Sequence, residues 1–569
     1  MQNTESIKER IYSLVASSLP KSAEFDVSPC EKESFGDYAT NAALRLSKEQ
    51  GEPPIALAEK LVREIQARAP NDFFQKIEIA KPGFINFFLS PRTLAEELAA
   101  LLHAKENYGK RAIRPRPTVI VEYSQPNIAK RMHVGHLRTT VLGDALANLY
   151  EFLGYRVIRW NYFGDWGTQF GKTIAAYKLW GKKTEVEKNP IGTLLALYIR
   201  FHDEMKTNPE LEERGREEFR KLEEGDKENR KLWEWFRKES LLALHKLYKL
   251  LGISFDVEIG EAFFEKDMKP LVQELVERGI AKKSEGSLAI PLPGSDLPAL
   301  VQKADGASLY LTRDIANLRY RIKKYNPAKI LYVVGNEQAL HFEQLFKVAE
   351  ILELRTAELV HVKYGLVLGE EGKKFATREG RVVSLEEAIA KSLELARGII
   401  EKKNPGFPKK EKEAIAKAIG IGALKYANLK ENRHSDIIFD WGKMLDFSGD
   451  SAPYLLYTYS RLLSVLRKAG KIGNYDFALL IKDEERALML KSVRLHESVF
   501  QAAAEYAPNA VADYLYELSV CANKFYETTP ILREENLLRR NARLALIRAT
   551  AYSLKSGLSL LGITVTPRI

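Results

Sequence analysis

Residues 118–123 read Thr-Val-Ile-Val-Glu-Tyr, and a short loop leads from them to His133-Val134-Gly135-His136, which opens the apolar-periodic run 137–153. The first segment is a β-branched run of strand type, and the last has helical period. Two imidazoles and a glycine therefore stand where a strand ends and a helix begins. In an open α/β sheet that junction is the usual ligand crevice, and a helix N-terminus there favours phosphate. His133 and His136, three apart, share one face of the helix start. Each can donate a hydrogen bond to a phosphoryl oxygen, more strongly as charge builds in a transition state. Gly135 has no side chain, which leaves room for a flat base against the backbone. Ordinary polar residues at a helix cap would give the same pattern. A metal-binding pair would need a third ligand, and none lies at helical spacing.

Strand–helix alternation spreads outward from this point and argues for a parallel sheet. RVIRWNYF (156–163) precedes the helix-like GTQFGKTIAAYKLW (167–180). Residues 167–173 imitate a phosphate-binding P-loop, but that motif needs glycine where Trp166 stands. The alternation is interrupted at about 185–300 by a charged helical insertion, best read as solvated helices. It resumes with SLYLTRDIANLRYRI (308–322), where LYLT reads as a strand, then with KILYVVGN (329–336) and a helix from Ala339. VKYGLVLG (362–369) leads to a basic loop, Gly372 to Arg381.

The flanks differ in kind. Residues 1–112 mix helix-like and strand-like pieces, including FQKIEIAKPGFINFFLS (74–90), two strands around Lys81-Pro82-Gly83. Arg114-Pro115-Arg116-Pro117 resembles a linker. Toward the C-terminus every long segment is helical, for example YLLYTYSRLLSVLRKAG (454–470) and ERALMLKSVRLHESVFQAAAEY (485–506). The expected fold is multidomain α/β. A small α+β domain spans 1–112, a Rossmann-like domain with the insertion spans 113–445, and an all-α bundle spans 446–569.

Composition excludes several classes. Cys30 and Cys521 stand alone in 569 residues, which rules out a disulfide framework and CxxC zinc sites and fits a reducing, cytoplasmic setting. The N-terminus is amphipathic and acidic, unlike a signal peptide, and no apolar run spans a bilayer. The net charge of +11 fits either simple solubility or a polyanionic partner. Residues 451–569 carry 16 Lys+Arg against 11 Asp+Glu, a mild excess consistent with RNA contact.

Two further groups bear on chemistry. The loop 372–380 holds Lys373, Lys374 and Arg378 between glycines, which suits closure over a triphosphate, although a solvated surface loop is the commoner meaning. Glu122 ends the first strand, and Asp314 lies four residues after Tyr310. Carboxylates at strand ends suit a cationic ligand and can hold a guanidinium bidentately. A structural ion pair with Arg313 or Arg319 fits Asp314 equally well.

Taken together, these residues resemble the class I aminoacyl-tRNA synthetases, and the arginyl-tRNA synthetases among them. HVGH is similar to the HIGH motif of that class. EYSQPNIAKRMHVGHLRTTVLGD, LYLTRDIA, GNEQ, PGFINFFL, PYLLYTYSRL and the ending LGITV resemble the arginyl branch along the whole chain. The resemblance implies a two-step reaction. ATP and L-arginine give arginyl-adenylate and pyrophosphate, and the arginyl group then passes to the terminal ribose of tRNA(Arg). It also implies a need for bound tRNA in the first step, ATP with Mg2+, no zinc, no membrane, and a monomer.

Carried over by position, the resemblance places Glu122, Ser124, Asn127 and His133 on the amino acid, Tyr310 and Asp314 on its guanidinium, and Gln338 on its α-amino end. His133, Gly135, His136 and Lys374 serve ATP. The KMSKS motif of the class falls on Lys374-Phe375-Ala376-Thr377-Arg378, with Thr377 where the second lysine is usual. A lysine just before HIGH is thought to compensate in arginyl enzymes, and Lys130 stands there, next to Arg131 where proline is usual. Lys130, His133, His136, Lys374 and Arg378 are therefore the expected catalytic set. Tyr454 and Tyr457, three apart on one helix, are expected to stack on anticodon bases, although core tyrosines would look alike. Asn86 is the expected reader of a tRNA elbow base, unless it pairs with a buried backbone group. Another class I synthetase, of lysyl or glutaminyl type, is the alternative enzyme. A non-catalytic synthetase-like RNA-binding protein is the alternative of another kind.

Overall fold

The computed structural model of the chain describes residues 5–20, 23–30, 32–295, 297–304, 309–354, 356–369 and 383–569. It comprises two compact units. One holds Ala112–Lys403 and Ile419–Leu445, and the other Met1–Arg111, Asn404–Ala418 and Asp446–Ile569.

The first unit is built on five parallel strands: β1 (Thr118–Glu122), β2 (Arg156–Phe163), β3 (Val257–Gly260), β4 (Lys329–Tyr332) and β5 (Glu358–His361). Their order across the sheet is β5-β4-β1-β2-β3. The chain starts at the centre, builds outward through β2 and β3, then returns to the other side of β1. The switch point lies between β1 and β4, where open α/β sheets bind ligands beyond their strand ends. β1 is buried along its whole length, as a strand covered on both faces must be.

Helix α1 (Val134–Phe152) follows β1 after the loop 123–133. It approaches the strand end so closely at Gly143 that a Cβ there would come within 2.2 Å of the Tyr123 ring. On the sheet, Ile120, Ile158 and Ile330 pack with Leu311, Ile315 and Leu318 of α2 (Tyr310–Tyr325) and with Phe342 and Leu345 of α3 (Ala339–Ile351).

LYLT corrects one sequence expectation. Its alternation suggests a strand, but Tyr310, Leu311 and Thr312 open helix α2. Leu311, Ile315 and Leu318 recur at helical spacing and are buried, and the Thr312 hydroxyl donates to the Val301 carbonyl. Helical packing over the sheet outweighs a four-residue alternation. Within the stretch read as an insertion, helices Pro190–Glu204, Glu210–Glu224 and Lys227–Leu251 precede β3, which is the sheet's own edge strand. A small antiparallel sheet (Lys282–Ser284, Ser287–Ile290, Ala299–Gln302) follows.

In the second unit, Phe74–Ala80 and Phe84–Leu89 form the expected hairpin within a four-stranded antiparallel sheet. Five long helices, from Ala452–Ala469 to Leu537–Leu560, form the bundle. The run 485–506, read as one helix, divides into Asp483–Ser492 and Leu495–Ala504.

Candidate active site

The loop between β1 and α1 is held in an unusual backbone shape. Ser124, Gln125 and Ala129 all adopt positive φ (75°, 48° and 63°) without being glycine, a cost that persists only where surroundings impose it. Those surroundings are visible. Gln125 N donates to Asn161 Oδ1 (3.2 Å), and Asn161 Nδ2 donates to the Tyr248 hydroxyl (3.1 Å). Tyr248 lies 2.7 Å from Ser124 Oγ, and Thr140 Oγ1 donates to the same Ser124 oxygen at 3.0 Å. Ser124 is thus buried and its hydroxyl engaged inside the protein. Ser124, expected on the amino acid, therefore stands behind the loop surface with its side chain held by Tyr248 and Thr140. Asn161 and Tyr248 were not singled out from the sequence, because their role is to shape a loop distant along the chain.

His133 caps α1. Its Nδ1 accepts from Gly135 N (3.1 Å), and its own backbone N donates to His136 Nδ1 (3.2 Å). The two rings lie 4.0 Å apart between centroids. A backbone N–H can only donate, so both Nδ1 atoms are acceptors, and each neutral ring carries its proton on Nε2. Burial lowers the His133 pKa, and burial with the neighbouring His133 ring takes His136 down to about 3. Both rings are therefore neutral donors at neutral pH. The His133 ring stands 2.8 Å from where a Cβ on Gly135 would lie, so the missing side chain makes room for that ring.

Carboxylates gather beside the switch point. Glu122 is buried and accepts from Gln125 Nε2 (2.7 Å) and from Arg321, which is likewise buried. Tyr310 and Asp314 sit one turn apart on α2, with Tyr310 68 % exposed at its start. Asp314 contacts His341 Nε2 at 2.7 Å. Burial opposes the imidazolium, yet Asp314 outweighs it and raises the His341 pKa. The expected alternatives for Asp314 do not form: Arg313 lies 3.5 Å from Glu261, and Arg319 binds Glu274. Glu261, unnoticed in the sequence, has its carboxyl pushed up to about 8 by burial, with Asp314 and Asp165 adding to the rise and Arg313 opposing it. Among the described residues the buried Tyr162 hydroxyl has no hydrogen-bond partner, and burial, then Asp314, Glu261 and Glu122, raises its pKa. An unpartnered hydroxyl among three carboxylates suits a cation with several donors.

The remaining expected residues divide. Asn127 is exposed and bridges to Gly164, and Gln338 is exposed just before α3. Lys130 Nζ lies 5.7 Å from the centre of the Tyr198 ring on helix Pro190–Glu204. Lys374, Thr377 and Arg378 lie outside the described residues. Ser384, which follows that stretch, bridges to His133, and Leu385 N donates to Met132 O (2.8 Å).

In the second unit, Tyr457 lines a cavity of about 1000 Å³ together with Arg461, Arg467, Lys468, Tyr526 and Arg533. Arg461 lies over both the Tyr457 and Tyr526 rings, at 4.9 and 5.1 Å. Tyr454 does not line it, and its hydroxyl accepts from Asn523 Nδ2 (3.0 Å). Asn86 is 6 % exposed within strand Phe84–Leu89. Asn86 thus has a buried side chain, and its strand is paired on both edges.

The parallel sheet and the capped histidine pair at its switch point both lie in a stretch that matches a class I aminoacyl-tRNA synthetase catalytic domain. The family description "tRNA synthetases class I (R), catalytic domain" matches residues 97–441, flanked by "Arginyl tRNA synthetase N terminal domain" at 2–89 and "DALR anticodon binding domain" at 455–569. The arginine–tRNA ligase of Clostridioides difficile is 42% identical over 541 residues, covering 94% of each chain. That of Fusobacterium nucleatum is 40% identical over 547 residues, covering 95% of this chain and 94% of its own. The Thermus thermophilus arginyl-tRNA synthetase superposes with a TM-score of 0.83 at 26% identity, over 99% of this chain and all of that one. The chain belongs to the arginyl-tRNA synthetase family.

Proposed function

We infer that the chain joins L-arginine to tRNA(Arg). The arginine carboxylate attacks the α-phosphorus of ATP, pyrophosphate leaves, and arginyl-adenylate forms. The terminal ribose hydroxyl of the tRNA then attacks the acyl carbon, and AMP leaves. The observation that carries this reading is the carboxylate-rich pocket of Asp314, Glu122 and Glu261 around the unpaired Tyr162 hydroxyl, in the same unit as His133 and His136.

Each group has a task in this scheme. Asp314 and Tyr310 hold the guanidinium as a fork, which a lysine ammonium does not reproduce. Glu122, Asn127 and Gln338 hold the α-amino end, and Ser124 acts mainly by fixing the loop that presents them. His133 and His136 donate Nε2–H to phosphoryl oxygens as charge develops there. Gly135 admits the His133 ring that orients this pair. Lys130 adds a cation toward the triphosphate, and Lys374 and Arg378 take the same role by resemblance. Among the described residues no three His, Cys, Asp or Glu side chains converge as a metal site. Mg2+ is assigned to the triphosphate by resemblance and carries no step here.

Tyr457, with Arg461 and Tyr526, offers a stacking and cationic surface for splayed anticodon bases. Tyr454, on the same helix, packs toward Asn523 and Tyr516. Asn86 contributes to elbow recognition only where its strand face opens on tRNA. No described helix is long and apolar enough to cross a membrane, and a cytoplasmic monomer is the proposed working form. Charging of tRNA(Arg) with radiolabelled arginine, lysine or glutamine tests the reading. Arginine alone should be attached, and attachment of lysine or glutamine instead would overturn it.

A further inference from the structure

Tyr332, Glu122 and Trp160 stand opposite one another across β4, β1 and β2. The Arg321 guanidinium lies against all three. It donates to Glu122 Oε2, and its carbon is 4.4 Å from the Trp160 ring centre and 5.4 Å from that of Tyr332. Arg321 is fully buried, and its Nε and Nη1 find no hydrogen-bond partner among the described residues. A carboxylate flanked by two aromatic rings is a guanidinium receptor in its own right. The sheet therefore ends in a site with the chemistry of the substrate side chain, and the chain fills it with its own arginine. Arg321 follows Asp314 by seven residues on α2, two helical turns along the same face, or roughly 10 Å.

We propose that Arg321 is a positioning and specificity residue for L-arginine. It occupies the receptor at Glu122, so the substrate guanidinium is left only the Asp314 end of the pocket. It also holds one Glu122 oxygen, while Gln125 holds the other, and so aims the carboxylate at the α-amino group. This rests on the reading of Glu122 as an arginine contact. A substrate turned end for end would place its α-carboxylate away from ATP. The buried internal guanidinium excludes that pose by filling the space against the Trp160 and Tyr332 rings.

The test uses the full-length enzyme with tRNA, measuring steady-state constants for arginine and for ATP. Arg321→Ala should raise the KM for arginine at least tenfold and leave the KM for ATP unchanged. Millimolar methylguanidinium should then activate this variant by refilling the receptor, whereas it should only inhibit the wild type. A purely structural role would lower kcat or raise both KM values together, and that outcome, or the absence of activation by methylguanidinium, would overturn the proposal. Should Arg321→Ala fail to fold, the pair Glu122→Gln and Glu122→Gln/Arg321→Met decides. Once Glu122 is neutral, adding Arg321→Met should raise the KM for arginine no further. A further rise would overturn this inference alone, while an unchanged KM in Glu122→Gln by itself would overturn the reading of Glu122 as well.

Discussion

His133 and His136 each take a backbone N–H at Nδ1, which fixes the tautomer that offers Nε2–H outward. The pattern HVGH showed where these rings would lie, but neutrality came from burial, which a sequence does not display. His341 is a different case. Its pKa is raised because Asp314 lies 2.7 Å away, so the imidazolium persists above the ordinary value of about 6.5. While charged it competes with the substrate guanidinium for Asp314, and it loses that charge as pH rises through the raised pKa. The KM for arginine should therefore fall as pH rises from about 6.5. His341→Gln should flatten this dependence, and an unaltered profile in that variant would contradict the pairing. Lys130→Ala should slow adenylate formation by roughly 100-fold, about 3 kcal/mol of transition-state stabilisation. Single-turnover activation assays would read this, with transfer from preformed adenylate little affected.

At the scale of elements, α1 carries the histidines and rests on β1 through Gly143. A methyl group there would strike the Tyr123 ring at 2.2 Å, and a strand end packed beneath the middle of the helix cannot give way easily. Gly143→Ala should lower stability by about 1–3 kcal/mol and reduce ATP activation by displacing the helix start. Gly398→Ala is the control, on the exposed side of helix Leu385–Lys403 with open space around the glycine. It should stabilise by about 0.5–1 kcal/mol, and both changes are measurable by denaturant titration. The strands β1 and β2 and the bundle helices were legible because their patterns run over many residues. LYLT was misread because four alternating residues cannot outvote the buried helical stripe Leu311–Ile315–Leu318 that continues beyond them. Arg321, Asn161 and Tyr248 were not legible because their partners lie far away in sequence, and only the sheet register brings them together.

At the scale of the whole molecule, the chain's two ends share one unit. Arg486 of the bundle donates both terminal nitrogens to Asp37 at 2.7 Å each, and Asp37 also accepts from Leu89 N at 2.7 Å. Tyr38 donates to Glu497 (2.5 Å), and Lys555 donates to Glu106 (2.7 Å). Asp37 is buried, so Asp37→Ala takes the carboxylate from Arg486, which keeps the Leu89 carbonyl at 3.2 Å, and leaves the Leu89 amide without its acceptor, at a cost of about 1–3 kcal/mol. Thermal melting should show this loss, and limited proteolysis should show earlier cleavage near residue 111. Equal protease resistance in the variant would mean that other contacts hold the unit together. The central claim, arginine activation in a carboxylate-lined crevice, is tested most directly by ATP–pyrophosphate exchange with each amino acid, with and without tRNA(Arg). Exchange with arginine, and only when tRNA is present, is the expected result; exchange with lysine, or with no amino acid under either condition, would contradict it.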